Sequence, residues 1–305
     1  MNFLERLAQP RPVLLDGATG TELARRAVDI GLPLWSANAL LTAPQVLSQV
    51  HADYLRAGAE VITANTFRTH RRSLAKGGLG ERAKELTQSA VTLAREAAQT
   101  YRETYGSSTT RAYYIAGSMA PLEDSYTPEL VPPLAECERE HAEMAQNLAE
   151  AGVDLLLVET MNTIREAVAA TRAACATSLP TLTCFVCRDD GRLFSGETVR
   201  AAVEAVVPLG VTGVGINCTP SPLINKPFNE LRAAVRSFTN PRLVVGVYAN
   251  IGKTEDIAGW TNTADVSPLE YARQAVRWLE QGARLVGGCC GTTPAHIAAL
   301  RMVIG

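Results

Sequence analysis

Residues 154–159 read Asp-Leu-Leu-Leu-Val-Glu (DLLLVE), and the fold follows from how this run is read. Its apolar residues are consecutive rather than alternating, as expected for a strand buried on both faces of a parallel sheet. Seven further runs have the same character: 12–16 (PVLLD), 60–64 (EVITA), 113–117 (YYIAG), 181–186 (TLTCFV), 212–217 (TGVGIN), 243–248 (LVVGVY) and 284–288 (RLVGG). The stretches between them carry helical spacing. Residues 43–57 place Val46, Leu47, Val50 and Tyr54 three and four apart, and 81–104 and 134–151 are rich in Ala, Glu and Leu. Leu223 to Phe238 and Pro268 to Gln281 repeat the pattern, the latter opened by Ser267 and Pro268. Eight strand–helix units predict an α/β chain folded as a (β/α)8 TIM barrel. The rival is an open doubly wound sheet, which expects Gly-x-Gly-x-x-Gly after its first strand. Here that turn reads Asp16-Gly17-Ala18-Thr19-Gly20 instead. No Pro/Gly/Ser-rich linker divides the chain, so residues 1–305 are expected to form a single domain.

Composition narrows the function classes. Apolar residues make up 47% of the 305 and charged residues 20%, the balance of a globular protein. A chain of this length can bury roughly three quarters of its unfolded surface without disulfide staples. The 29 Lys and Arg nearly balance the 31 Asp and Glu, for a net charge of −2, which argues against a nucleic-acid partner. No apolar run approaches the ~20 residues that span a bilayer. The opening Met-Asn-Phe-Leu-Glu-Arg-Leu lacks the long apolar stretch of a secretory signal. With seven cysteines, an odd number, a reduced cytoplasmic location is expected. A homo-oligomer is left open.

A barrel directs attention to the C-terminal ends of its strands, where active sites of this fold gather. In chain order those ends are Asp16, Asn65-Thr66, Gly117-Ser118, Glu159-Thr160, Cys187, Asn217-Cys218, Tyr248-Ala249-Asn250 and Cys289-Cys290. Polar groups and thiols therefore concentrate on one rim. Cys289 and Cys290 are adjacent within GGCCGTTP (287–294), where flanking glycines let the backbone bend so that both sulfurs can face one centre. Cys218 lies two strands away. Three thiolates at one rim suit zinc, and three protein ligands leave a fourth position open, the catalytic arrangement. The competing reading is plain packing, since free cysteine is among the most buried residue types. Cys184-x-x-Cys187 has redox-like spacing but falls on a strand, where an offset of three points the side chains to opposite faces. Cys137 and Cys175 fall on helices and are read as structural. The four histidines (51, 70, 141 and 296) show no metal spacing.

At this point the chain resembles the homocysteine S-methyltransferase family. The segments that carry the resemblance are LLDGATGTEL (14–23), LWSA (34–37), VHADYLRAGAEVITANTF (50–67), AGSMAP (116–121), LLLVET (155–160), GINC (215–218) and GGCCGTTPAHI (287–297). They run from residue 14 nearly to the end, and GINC combined with GGCC is the most specific feature. LWSA, VHADYLRAGA and GGCCGTTP are closest to the stand-alone type that uses S-methylmethionine or S-adenosylmethionine. The resemblance implies that Cys218, Cys289 and Cys290 hold one zinc ion and that the homocysteine thiol takes the fourth position. It implies that Glu159 partners the substrate ammonium, with Asp16 nearby. The backbone amides of Gly17, Ala18 and Thr19 would serve the substrate carboxylate, as clustered N–H groups do in a turn. Asn217 would hold the loop or the substrate, and Trp35 would offer a ring face to a methylated donor.

Two positions depart from the betaine-using type, which carries tyrosines after strand two and directly after the strand-four Glu. Here those places hold Arg68 and Thr160. A guanidinium beside a quaternary ammonium is unfavourable, which speaks against betaine. Asn65-Thr66-Phe67 resembles the methionine-synthase version of its loop, but 305 residues leave no room for cobalamin or folate modules. The expected activity is zinc-dependent methyl transfer from a small sulfonium donor to homocysteine, giving methionine, with small molecules as the partners. The alternatives are a selenol acceptor, a betaine- or thetin-type donor, and a zinc- or thiol-binding protein without transferase activity.

Overall fold

All eight apolar runs form strands. They are β1 (Val13–Leu14), β2 (Val61–Ala64), β3 (Tyr114–Met119), β4 (Leu155–Met161), β5 (Thr181–Phe185), β6 (Gly213–Pro220), β7 (Val244–Asn250) and β8 (Leu285–Gly288). The structure, a computed structural model, describes residues 1–106, 112–240, 242–252, 254–255, 259–260 and 266–305. Every strand pair in the sheet is parallel, in the order β1-β8-β7-β6-β5-β4-β3-β2. The two outer strands then meet. Leu15 bridges Val61 in parallel, with Asp16 N donating to Val61 O (3.0 Å) and Glu60 N to Leu14 O (2.8 Å). The result is a (β/α)8 barrel, as the spacing predicts. A small antiparallel pair, Thr254–Glu255 with Gly259–Trp260, lies apart from it.

The consecutive apolar runs serve two cores, because neighbouring side chains point to opposite faces. On β4, Leu155 and Leu157 face the barrel interior with Val61, Leu182 and Leu285. Leu156 and Val158 face outward with Leu148, Ala167 and Ala170 of the helix layer. The helices that cover the sheet include Pro44–Ala57, Ala83–Tyr105, Leu134–Ala151, Ile164–Ala176, Asn225–Val235 and Pro268–Glu280. Side chains start several of them. Thr163 accepts from Glu166 N, and Ser267 accepts from Glu270 N ahead of Pro268, the start that its sequence predicts.

The N-terminus forms an element that the strand pattern does not assign. Helix Phe3–Leu7, closed by an Asn2–Glu5 capping box, packs against the end of the barrel where the strands begin. Phe3 meets Tyr114 edge-on at 5.3 Å. Arg6 forks onto Glu60 (Nε to Oε2 2.7 Å, Nη2 to Oε1 3.1 Å), and both residues are buried. A cavity of about 720 Å³ opens at this end, beside Phe3, Arg102 and Tyr114. None of the expected site residues lines it, so the chemistry has to be sought at the other rim. Among the described residues no helix is long and apolar enough to cross a membrane.

Candidate active site

Three sulfurs from two strand ends converge at the C-terminal rim. The ligand atoms of Cys218, Cys289 and Cys290 all lie within 4.8 Å of one another. Cys289 Sγ stands 3.2 Å from Cys218 Sγ, and Cys290 Sγ 3.9 Å from it. Sulfurs bound tetrahedrally to zinc at ~2.3 Å are about 3.8 Å apart, so this trio has nearly the span that such an ion needs. Three thiolates side by side repel, and without a cation the set shares its protons unequally. Cys218 is held well below the usual thiol range because both neighbouring thiols donate to it, while Cys289 and Cys290 are pushed up. The donor set therefore fits a soft divalent cation, and among the described residues it is the one such cluster.

Backbone irregularities aim these side chains. The ladder between β4 and β5 shifts register between Val158 and Met161, and that between β6 and β7 shifts between Asn217 and Pro220. Within those shifts Thr160 has φ 62° and Cys218 φ 53°, a left-handed conformation that is costly for side chains with a Cβ, and most so for a β-branched one. Asn217 braces both bulges. Its Oδ1 accepts from Thr160 N at 2.9 Å, and its Nδ2 donates to Thr160 Oγ1 at 2.9 Å and lies 3.5 Å from Glu159 Oε2. The amide is buried and spent within the protein, which favours the loop-holding role over substrate contact. Asn250 Nδ2 donates to Cys218 O at 2.7 Å, fixing the strained residue from β7.

The Cys289-Cys290 loop is clasped to the turn after β1. Arg25 Nη2 donates to Gly291 O (2.6 Å), Gly291 N to Thr21 Oγ1 (3.0 Å), and Ala18 N to Thr292 Oγ1 (3.2 Å). Tyr54 OH donates to Ala18 O at 2.8 Å, which is what the VHADYLRAGA segment contributes. Gly17 is required here by contact: a Cβ would come within 2.8 Å of both Thr292 Oγ1 and the Tyr54 ring. Thr19 begins the helix Thr19–Arg25, and the turn 16–19 presents the backbone proposed for the substrate carboxylate. The amide of Ala18 already has its acceptor in Thr292.

Two buried carboxylates stand beside the thiols. Glu159 accepts from Ser118 Oγ at 2.5 Å. Burial pushes its carboxyl up to about 7 despite that bond, and the negative charge on Cys218 and Asp16 adds to the rise. Asp16 neither caps a helix nor closes a turn. It accepts from Thr63 N (2.8 Å) and Thr63 Oγ1 (2.9 Å) on β2, and burial lifts it to about 7 as well. Two desolvated carboxylates poised near neutrality are suited to receiving one ammonium.

Aromatic rings line the mouth. Trp35 meets Phe67 edge-on at 5.5 Å, and Gly20 leaves room for the Trp35 ring, with which any Cβ there would collide. Tyr126 and Phe194, from the β3 and β5 loops, pair edge-on at 5.2 Å, and Tyr126 OH lies 3.4 Å from Cys218 Sγ. Sequence reading assigns no role to Tyr126, Phe194, Ser118 or Tyr248. The first two sit mid-loop, where no periodicity marks them. Ser118 and Tyr248 do fall at strand ends, and that position was their signal. The remaining cysteines are spread through the packing. Cys184 faces the barrel interior and Cys187 the outer core, on opposite faces as their offset predicts, and all seven cysteines are free thiols.

A family model described as Homocysteine S-methyltransferase matches residues 13–304. A Selenocysteine methyltransferase of Astragalus bisulcatus is 31% identical, over 96% of this chain and 93% of its own length. Homocysteine S-methyltransferase 2 of Arabidopsis thaliana is 30% identical over 94% of this chain and 91% of its own. Among solved structures, the metallated homocysteine methyltransferase MmuM from Escherichia coli superposes with a TM-score of 0.83, at 30% identity and 98% coverage of both chains.

Proposed function

From the premise that this chain belongs to the homocysteine S-methyltransferase family, and is a methyltransferase, we propose its donor, its acceptor and its metal. Residues 1–305 act as one homocysteine-binding barrel. It moves a methyl group from a small sulfonium, S-methylmethionine or S-adenosylmethionine, to the thiol of L-homocysteine and yields methionine. The observation that carries this reading is the trio of sulfurs within 4.8 Å, set beside two buried carboxylates.

Cys218, Cys289 and Cys290 would hold one zinc ion, which when bound supplies a substrate thiol already deprotonated at neutral pH. The chain's own residues then have three tasks. Glu159 and Asp16 hold the substrate ammonium, and an arriving cation favours their ionised forms, offsetting the cost of burial. The turn Gly17-Ala18-Thr19 receives the substrate carboxylate on the N–H groups of Gly17 and Thr19, that of Ala18 being spent on Thr292 Oγ1. Trp35, with Phe67 packed edge-on against it, offers a ring face to the methylated cation of the donor. The new S–C bond forms as the donor's S–CH₃ bond breaks, and the donor leaves as a neutral thioether. No proton has to be delivered to it, which agrees with a mouth lined by aromatic rings rather than by acids.

A selenol acceptor is a second reading, favoured by the similarity to a selenocysteine methyltransferase. The seven free thiols support a reducing, cytoplasmic setting. The deciding experiment incubates purified protein with homocysteine and a donor panel, follows methionine, and repeats the assay after zinc is removed with a chelator. Methionine from a sulfonium donor, lost on chelation and restored by zinc, is expected. Unimpaired turnover by metal-free protein would refute the zinc reading.

A further inference from the structure

Arg68 follows Phe67 in the loop after β2, and its guanidinium is poorly provided for. Its central carbon lies 5.5 Å from the Phe67 ring centroid. Both of its hydrogen bonds fall on one nitrogen, Nη1, to Glu123 O (3.2 Å) and Ser73 Oγ (3.4 Å). Nε is buried and has no partner. Among the described residues no carboxylate pairs with Arg68. Glu123 is taken by Arg72 and Lys76, and Asp124 Oδ1 accepts from Tyr126 N and Thr127 Oγ1. Asp124 and Glu123 attract the guanidinium electrostatically without bonding to it, so a largely desolvated group keeps an unused N–H that an anion arriving from outside would satisfy.

Its surroundings place that anion. Phe67 packs on Trp35, and Arg68 lies within the electrostatic reach of Tyr126, whose hydroxyl is 3.4 Å from Cys218 Sγ. The residue is half-buried, held between the Phe67 ring and the backbone at Glu123. We propose that Arg68 binds a carboxylate on the methyl donor, so that this site takes a methylated cation carrying a carboxylate several bonds away, as in an α-amino-acid sulfonium. The proposal rests on the methyl-transfer reading and names its donor class.

Charge supplies the orientation. A guanidinium repels the donor's cationic centre and attracts its carboxylate, so the two ends are pulled apart. The carboxylate is drawn to the unsatisfied Nε side of the fork, a geometry that arginine offers and lysine does not. The cation turns toward the aromatic rings and the sulfurs. A three-carbon spacing between the ends permits this. The one-carbon spacing of betaine would hold its methyl groups, the part that must reach the sulfurs, beside the guanidinium, whereas in an α-amino-acid sulfonium only the unreactive α-ammonium lies that near.

The test compares S-methylmethionine with (3-aminopropyl)dimethylsulfonium, the same cation without the carboxylate, in wild type, Arg68→Gln and Arg68→Lys. Wild type should favour the carboxylated donor. In Arg68→Gln the ratio of kcat/KM values should fall ~10–100-fold, the span expected for a hydrogen bond between charged groups. The loss should lie in KM for S-methylmethionine, and Arg68→Lys should recover part of it. If Arg68→Gln does not fold, a reduced ratio in Arg68→Lys carries the same reading, because lysine keeps the charge and loses the fork. Methionine formation with an unchanged ratio in both variants would overturn the role of Arg68 alone. Failure of wild type to use S-methylmethionine, its aminopropyl analogue or S-adenosylmethionine would overturn the transfer reading together with it.

Discussion

Asp16→Asn should make the protein more stable at alkaline pH while weakening homocysteine binding. The Asp16 carboxyl is raised from 3.8 to about 7, chiefly by burial, against the opposing Thr63 bonds. An acid whose folded pKa is raised keeps its proton in the native state after the unfolded chain has lost it. Stability therefore declines as pH climbs from about 4 through about 7, and the full penalty is present above that. A rise of about three units corresponds to ~4 kcal/mol as an upper bound. Asparagine is nearly isosteric and carries no charge at any pH. Its carbonyl can accept from Thr63 N, and its amide can donate to the Thr63 hydroxyl, so the altered bonds should cost ~1 kcal/mol independent of pH. About 1.6 kcal/mol of the penalty is already present at about pH 5, so the variant should there match wild type or exceed it by under ~1 kcal/mol, and at about pH 8.5 exceed it by up to ~3 kcal/mol. Urea denaturation of both proteins at the two pH values, with equal zinc and reductant, measures this. A stability difference that does not change between the two pH values would refute the reasoning, because it would mean that Asp16 ionises in the folded protein at little cost. Homocysteine affinity of the variant should drop ~10–100-fold, as an ammonium loses one charged partner.

Replacing both Cys289 and Cys290 by Ala should abolish stoichiometric zinc retention, read by metal analysis after dialysis; full zinc content in the double variant would remove the metal site from these residues. Asn217→Ala leaves the buried Thr160 N–H without its acceptor and unbraces Cys218. It should cost ~1–3 kcal/mol in stability and weaken zinc binding ~10–100-fold, as seen by chelator competition. Gly20→Ala puts a methyl group into the Trp35 ring. Displacement of that ring should raise the donor KM several-fold, with far-UV circular dichroism unchanged.

The barrel was legible because its signal is repeated. Eight runs with one character cannot all be buried helices, and each reappears as a strand within a few residues of its expected span. The discrepancies are local and physical. The run at 12–16 yields only Val13–Leu14, because Leu15 stands at the barrel seam and makes a single bridge. The runs at 212–217 and 243–248 extend to Pro220 and Asn250, since the bulge in β6 lets pairing resume beyond Asn217. In the site, Glu159 and the three cysteines were legible because strand ends are fixed by topology. Tyr126 and Phe194 were not, since each reaches the sulfurs from the middle of a loop whose course no periodicity records. Arg68 was visible only as a misfit; its unpaired guanidinium needed coordinates.

Two residues with strained backbone seat the candidate site. Thr160 and Cys218 hold left-handed backbone that glycine would adopt freely, yet neither is glycine. At Cys218 the reason is direct, since glycine would delete the sulfur. At Thr160 the side chain takes part in the restraint: Oγ1 accepts from Asn217, the residue that also receives the Thr160 N–H. A Thr160→Gly change would relieve the strained φ, ~1–3 kcal/mol by usual measure, but would remove one half of the brace that seats Glu159 and Cys218. It should therefore leave overall stability nearly unchanged while loosening zinc. The opposite outcome, a more stable protein with zinc affinity intact, would mean that Asn217 holds the bulges through the backbone alone and that the Thr160 hydroxyl is incidental.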